Sequence, residues 1–210
     1  MTQSAWAGCR SALLDFLFYL PCGGEERFRD RCDKFVHLSN GDRVLDLCCG
    51  AGALTALLAR RAGADGRVLG VDICRTELES AMMAARDVPA EFAMAVAERL
   101  PLASSSFGKC CISLGMHHLA EPSRRDALRE ILRVLVPGGS LFVIDYNLPE
   151  GGLARIAAMA LIKIDYSAEA CTMLRQHSLI DEVQKAGFQI SRRDFFCCGT
   201  MQLIEATKLT

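Results

Sequence analysis

Two aspartates, Asp46 and Asp72, are the first residues here from which chemistry can be read. Asp46 lies in the apolar run Val44-Leu45-Asp46-Leu47-Cys48-Cys49, which breaks into the turn Gly50-Ala51-Gly52. Asp72 ends a second apolar run, Arg67-Val68-Leu69-Gly70-Val71-Asp72. An acid at the end of a strand accepts hydrogen bonds from a ribose diol. Glycines let the backbone come close to a ligand, and a helix opening near Ala53 aims its N–H groups at the same place. Asp46, Gly50, Gly52 and Asp72 therefore point to a nucleoside-cofactor site. Ile73, next to Asp72, is placed either to cover a base or to pack in the core.

A second group of candidates follows later strands. His117 and His118 come after a fourth apolar run, and Tyr146 after a fifth. The carboxyl edge of a parallel sheet is where ligands bind. A histidine there titrates near neutrality and can take a phenolic or ring proton. The same two histidines serve equally as local packing or hydrogen-bonding groups, and Tyr146 as a ligand wall or a structural aromatic.

Positioning these groups requires an alternating chain. Helix is predicted over 25–38, with Phe28, Cys32, Phe35 and Val36 on one face. Strands follow at 43–48, 67–72, 91–96, 109–114 and 140–145, with helices at 53–62, 75–86 and 123–135 between them. Pro137-Gly138-Gly139 stops the last of these helices. A helical patch covers 151–163 and a helix spans 178–186, ended by Gly187. Strands at 188–196 and 200–206, joined at Cys198-Gly199, pair as a hairpin. Alternating β and α units give an α/β fold with a parallel sheet covered on both faces. No repeat or linker marks a second domain, so residues 1–210 read as one unit: helical cover over 1–40 and a cofactor-binding core over 41–210.

At this point the chain resembles a known family. Arg43–Thr55 looks like the first motif of class I S-adenosylmethionine-dependent methyltransferases, and more narrowly of the ubiquinone/menaquinone-biosynthesis C-methyltransferases. Val71-Asp72-Ile73, Ala97-Glu98-Arg99-Leu100-Pro101-Leu102, Ser106-Phe107 and Leu114-Gly115-Met116 match in order. So do Leu128-Arg129-Glu130, Arg133-Val134-Leu135, Pro137-Gly138-Gly139, Ala186-Gly187-Phe188 and Gly199-Thr200. The resemblance implies a Rossmann-like, doubly wound, mostly parallel seven-stranded sheet with a C-terminal antiparallel hairpin strand and N-terminal helical cover. It implies S-adenosylmethionine as cofactor, held by Asp46, Cys48, Gly50, Gly52, Asp72, Ile73, Ala97, Glu98 and Leu114, with Asp46 pairing the methionine ammonium. It makes His117, His118 and Tyr146 the catalytic candidates, in places where the family often carries other polar or aromatic residues.

The chain departs from the family at Cys48, where glycine is usual, and at Val96, where an acid normally accepts the adenine amino group, a part that Glu98 or a backbone carbonyl could take instead. NAD is the rival cofactor. Its fingerprint needs a third glycine for close helix–strand packing, and Ala53-Leu54-Thr55 supplies none.

Composition narrows the remaining classes. A 210-residue chain that is 51% hydrophobic can bury a full core. A formal charge of −1 gives no pull toward nucleic acid. The eleven cysteines show no metal-site spacing, and no metal is expected. Cys48-Cys49, Cys110-Cys111 and Cys197-Cys198 are adjacent pairs whose side chains diverge on a strand, so they read as buried free thiols suited to a reducing, cytoplasmic setting. Met82-Met83 and Met159 read as core fillers. Residues 12–20 are apolar, carry Asp15 and resemble no cleaved leader. Leu13–Leu20 is apolar nearly all round a helix and offers a face to the domain and another to a partner, an apolar ligand or a membrane surface. The expectation is methyl transfer to a small, lipophilic or aromatic, quinone-like acceptor. The alternatives are a lipid amine, thiol or metalloid acceptor, and a non-catalytic cofactor-binding subunit.

Overall fold

The computed structural model describes residues 23–152, 155–156, 172–174 and 178–209. The apolar N-terminal run, Met159 and most of the helical patch at 151–163 lie outside them.

Seven strands form one sheet: β1 (Arg43–Leu47), β2 (Arg67–Asp72), β3 (Ala90–Met94), β4 (Phe107–Ser113), β5 (Leu135–Tyr146), β6 (Phe188–Phe196) and β7 (Met201–Lys208). Their order is β3-β2-β1-β4-β5-β7-β6. β1 to β5 pair in parallel, and β7 lies antiparallel between β5 and β6. This is the mostly parallel sheet with a closing hairpin that the motifs imply. The strand order reverses between β1 and β4, and a crevice opens beyond the carboxyl ends of such a pair.

The helices are α1 (Glu25–Phe35), α2 (Ala53–Ala62), α3 (Arg75–Ala84), α4 (Glu121–Val134) and α5 (Ser178–Lys185). Gly52 and Gly63 bracket α2 with φ of 76° and 70°, left-handed values that end a helix readily only at glycine. Thr55, Ala56, Leu58, Ala59 and Ala62 form its buried stripe. Phe28, Cys32, Phe35 and Val36 of α1 are all buried, as their spacing predicts. The Phe28 ring meets Phe196, and the Phe35 ring meets Phe142 edge-on at 6.1 Å, so α1 seats on the β5–β6 side.

Two expectations change. Helix α4 stops at Val134 and runs straight into β5, so Pro137-Gly138-Gly139 lies within the strand. Phe107 pairs with Leu135 and Lys109 with Ser140, so residues 136–139 bulge opposite Gly108. Met82 and Met83 are exposed on α3. That helix buries Leu78 and Ala81, with Ala85 just past its end, and Met82 and Met83 fall off this face.

Cys32, Cys48, Cys49, Cys74, Cys110, Cys111 and Cys198 are free thiols. Cys197 departs from that pattern: it is disulfide-bonded. Cys110 and Cys111 are fully buried at the centre of β4. Burial pushes both thiols well above their ordinary range. Replacing both with serine buries two hydroxyls at about 1–3 kcal/mol each. The midpoint of urea denaturation should fall while cofactor affinity holds; tight stoichiometric arsenite binding lost in that variant would contradict a structural role.

Candidate active site

The site is assembled where β1 and β4 leave the sheet. Cys48 follows β1 with φ 57°, and Leu114 follows β4 with φ 55°. Left-handed backbone at a residue with a Cβ costs about 1–2 kcal/mol, and such strain gathers at functional sites. It also accounts for glycine being the commoner residue at the Cys48 position. The two elbows are packed together: a Cβ on Gly115 would lie 2.7 Å from the Cys48 Cβ.

The two glycines of the turn differ in role. A Cβ on Gly52 would lie 2.6 Å from the Ala81 Cβ, so Gly52 lets α2 pack on α3. A Cβ on Gly50 would have only Glu77 Oε2, at 4.0 Å, within that distance. Gly50 is thus the glycine that borders open space, and its φ of 50° suits a residue without a Cβ.

Asp46 is 1% exposed and accepts a 2.6 Å hydrogen bond from the Thr55 hydroxyl in the first turn of α2. Burial pushes its carboxyl up to about 7; the Thr55 bond opposes this and the Asp72 charge adds to it. Asp72 closes the loop. Its Oδ2 accepts from the Gly50 N–H and its Oδ1 from the Cys74 N–H, both at 2.9 Å. Ile73, beside it, is 56% exposed, which removes the core-packing reading.

Ala97 is buried and Glu98 half-buried, in a turn closed by a Val96–Arg99 bridge. A clamp from α4 holds the loop that follows. Arg133 donates to the Leu100 and Leu102 carbonyls, and Glu130 accepts from the Leu100 N–H at 2.7 Å. This gives the Leu128–Glu130 and Arg133–Leu135 motifs a structural purpose. Burial pushes the Cys48 thiol far up, and the charges of Asp72, Asp46, Glu98 and Asp145 push it further in that order.

Asp145, at the end of β5, is the residue to which sequence reasoning gave no role. It is fully buried. Its Oδ2 accepts from the backbone N–H groups of Met116 and His117 at 3.0 and 3.3 Å. Its Oδ1 accepts from the Tyr146 N–H at 2.7 Å and pairs the His117 Nδ1 at 2.8 Å. A carboxylate only accepts, so Nδ1 carries the proton in this pair. The available signal was an acid at a buried strand end, which needs partners. The 3₁₀ turn Met116–His118 presents both histidines. His117 is 2% exposed, whereas His118 is exposed. The His117 ring centre lies 3.9 Å from that of His118 and 4.6 Å from that of Tyr146. The three catalytic candidates are thus one cluster.

Comparison with known proteins agrees with this geometry. The methyltransferase-domain family matches residues 44–139. An uncharacterized methyltransferase of Synechocystis sp. is 31% identical over 93% of this chain and 89% of its own length. The ubiquinone/menaquinone biosynthesis C-methyltransferase of Pseudomonas fluorescens is 36% identical over 68% of this chain and 57% of its own, so the chain spans little more than half of that relative. A putative methyltransferase structure from Bacillus halodurans superposes with a TM-score of 0.72 at 18% identity, over 87% of this chain and 99% of that one, which shows the fold. The chain is an S-adenosylmethionine-dependent methyltransferase of the class I fold, distantly related to the ubiquinone/menaquinone C-methyltransferases.

Proposed function

We propose that the chain methylates a small, lipophilic aromatic acceptor of the quinol type, and that His117, oriented by Asp145, is its base. The observation that carries this reading is the buried His117–Asp145 pair beside Tyr146, set at the same sheet edge as the Cys48 elbow. The likeness to a protein named for ubiquinone/menaquinone biosynthesis supports it.

The residues present fit S-adenosylmethionine. Gly50 borders open space, and Asp46 is a buried acid whose ionisation awaits a cation. Asp46 would pair the ammonium, Asp72 would take the ribose diol, and Gly50, Cys48, Leu114 and Ala97 would line the cradle. Gly52 would contribute by seating α2. When bound, this cofactor supplies a methyl group already activated on a sulfonium. The protein's part is placement and removal of a proton. The rings of Tyr146, His117 and His118 offer a planar acceptor an aromatic wall. Nε2 of His117 takes the proton that leaves the acceptor's hydroxyl or ring carbon, and Asp145 stabilises the imidazolium through Nδ1–H. Exposed His118 stands on the path by which that proton reaches water.

A metalloid acceptor draws less support. Cys110 and Cys111 lie in the core with thiols held protonated, which offers no thiolate pair to an incoming ion. The deciding experiment is a methyl-transfer screen of quinols, catechols, lipid amines and thiols, with transfer to a quinol or catechol expected. Transfer only to amines or thiols would remove the quinol reading.

The pH dependence of cofactor binding tests Asp46. Its folded pKa, about 7, lies above the ordinary 3.8. Between these values the unfolded chain is ionised while the folded apoprotein holds a proton, so stability falls as pH rises from about 4 to about 7 and then levels off. An ammonium partner favours the ionised form. S-adenosylmethionine affinity should therefore rise with pH across the same window, with a proton released on binding. Calorimetry in buffers of different ionisation enthalpy reads that proton, and Asp46→Asn should abolish its release.

A further inference from the structure

The base end of the cofactor site is built from apolar side chains. Met94 pairs with Asp72 across β2 and β3, and the Ala95 N–H donates to the Asp72 carbonyl at 3.1 Å. A base that extends from a ribose held at Asp72, on the side away from Asp46, would therefore meet the end of β3 next. The residues there are Ile73, Met94 and Val96, with 56%, 62% and 40% of their surfaces exposed. Large apolar side chains left open together mark a place where something apolar docks. Two of the nearby carboxylates have partners elsewhere: Asp72 is engaged with the Gly50 and Cys74 amides and Asp46 with Thr55.

We propose that this site reads the cofactor's adenine by apolar contact with Ile73, Met94 and Val96 and places no carboxylate on the 6-amino group, so that it accepts cofactor analogues carrying a hydrophobic N6 substituent. A charged acceptor left without its donor normally costs a site about tenfold to a hundredfold in affinity for the ligand that lacks the donor. A site that never supplied the acceptor has no such discrimination to lose. The open side of Met94 and Val96 also gives an N6 benzyl group apolar surface to cover instead of a clash.

The proposal rests on the cofactor lying at Asp46 and Asp72, and the experiment separates the two claims. Calorimetry would compare S-adenosylhomocysteine, its 6-deamino counterpart, which keeps the ring nitrogens but lacks the amino group, and its N6-benzyl form. The 6-deamino form should bind within about threefold of the parent, and the N6-benzyl form as tightly as the parent or more so. Val96→Asp, at a partly exposed position the fold tolerates, should raise the preference for the amino form to about tenfold or more and weaken the N6-benzyl form. Val96→Asn serves as the uncharged control. Loss of tenfold or more on removing the amino group from the wild-type ligand, or rejection of the N6-benzyl form, would overturn the proposal. Asp72→Ala weakening all three ligands alike confirms the cofactor's position; unaltered binding in that variant, or no binding of S-adenosylhomocysteine to the wild type, overturns the placement and the proposal with it.

Discussion

His117→Ala lowers turnover on an acceptor that must lose a proton by about 10²–10⁴-fold, the range for one general acid–base step. S-adenosylmethionine affinity should stay within about twofold, because the loss falls on the reacting complex alone. Steady-state kinetics with the best acceptor from the screen, beside calorimetry of the cofactor, checks both halves. Asp145→Asn should give a smaller loss, since an amide oxygen still accepts from Nδ1–H but carries no charge to stabilise the imidazolium. Asp145 also accepts three backbone N–H groups, so melting curves must accompany that variant. Full turnover of His117→Ala on a phenolic or ring-carbon acceptor would show that His117 is not the base.

Asp72→Ala should weaken S-adenosylmethionine binding by tenfold or more. Two hydrogen bonds from a ribose diol to a carboxylate are removed, each worth about 1.5–3 kcal/mol. The same substitution leaves the Gly50 and Cys74 amides without their acceptor, so the glycine turn loses its tie to β2. Faster hydrogen exchange at Gly50 would register this separately from affinity. Unchanged calorimetric affinity in a folded Asp72→Ala protein would remove the ribose assignment.

Local patterns explain how much of this was readable in the chain. The bounds of α2 and β2 fall where the sequence puts them, because glycines bracket the first and a continuous apolar run makes the second. The places of Asp46 and Asp72 in β1 and β2 were legible because an acid in or at the end of an apolar strand stands out. What stayed hidden depends on contacts between distant segments. The Asp145–His117 pair spans 28 positions, and nothing beside either residue announces the other. The Thr55 bond to Asp46 required knowing that the first turn of α2 folds back over β1. The packing role of Gly52 stayed hidden because a turn glycine and a packing glycine look alike until Ala81 is in place. The Met82-Met83 pair was misassigned by residue type; the Leu78, Ala81, Ala85 spacing was the better guide to the buried face.

The closing hairpin has a consequence for solubility. From Leu141 to Tyr146, β5 is buried at every position, including Leu141, Phe142, Val143 and Ile144. Without β7 its free edge would be a flat, apolar template for pairing with other chains, which is how aggregation begins. Seven register pairs from Ser140–Thr207 to Tyr146–Met201 seal that edge. The exposed margin then passes to β6, whose Ser191-Arg192-Arg193-Asp194 stretch puts charge where a foreign strand would have to join. A nascent chain that has made β5 but not yet β7 carries this template uncovered, so the span between Tyr146 and Met201 is the interval in synthesis when the protein most needs a chaperone.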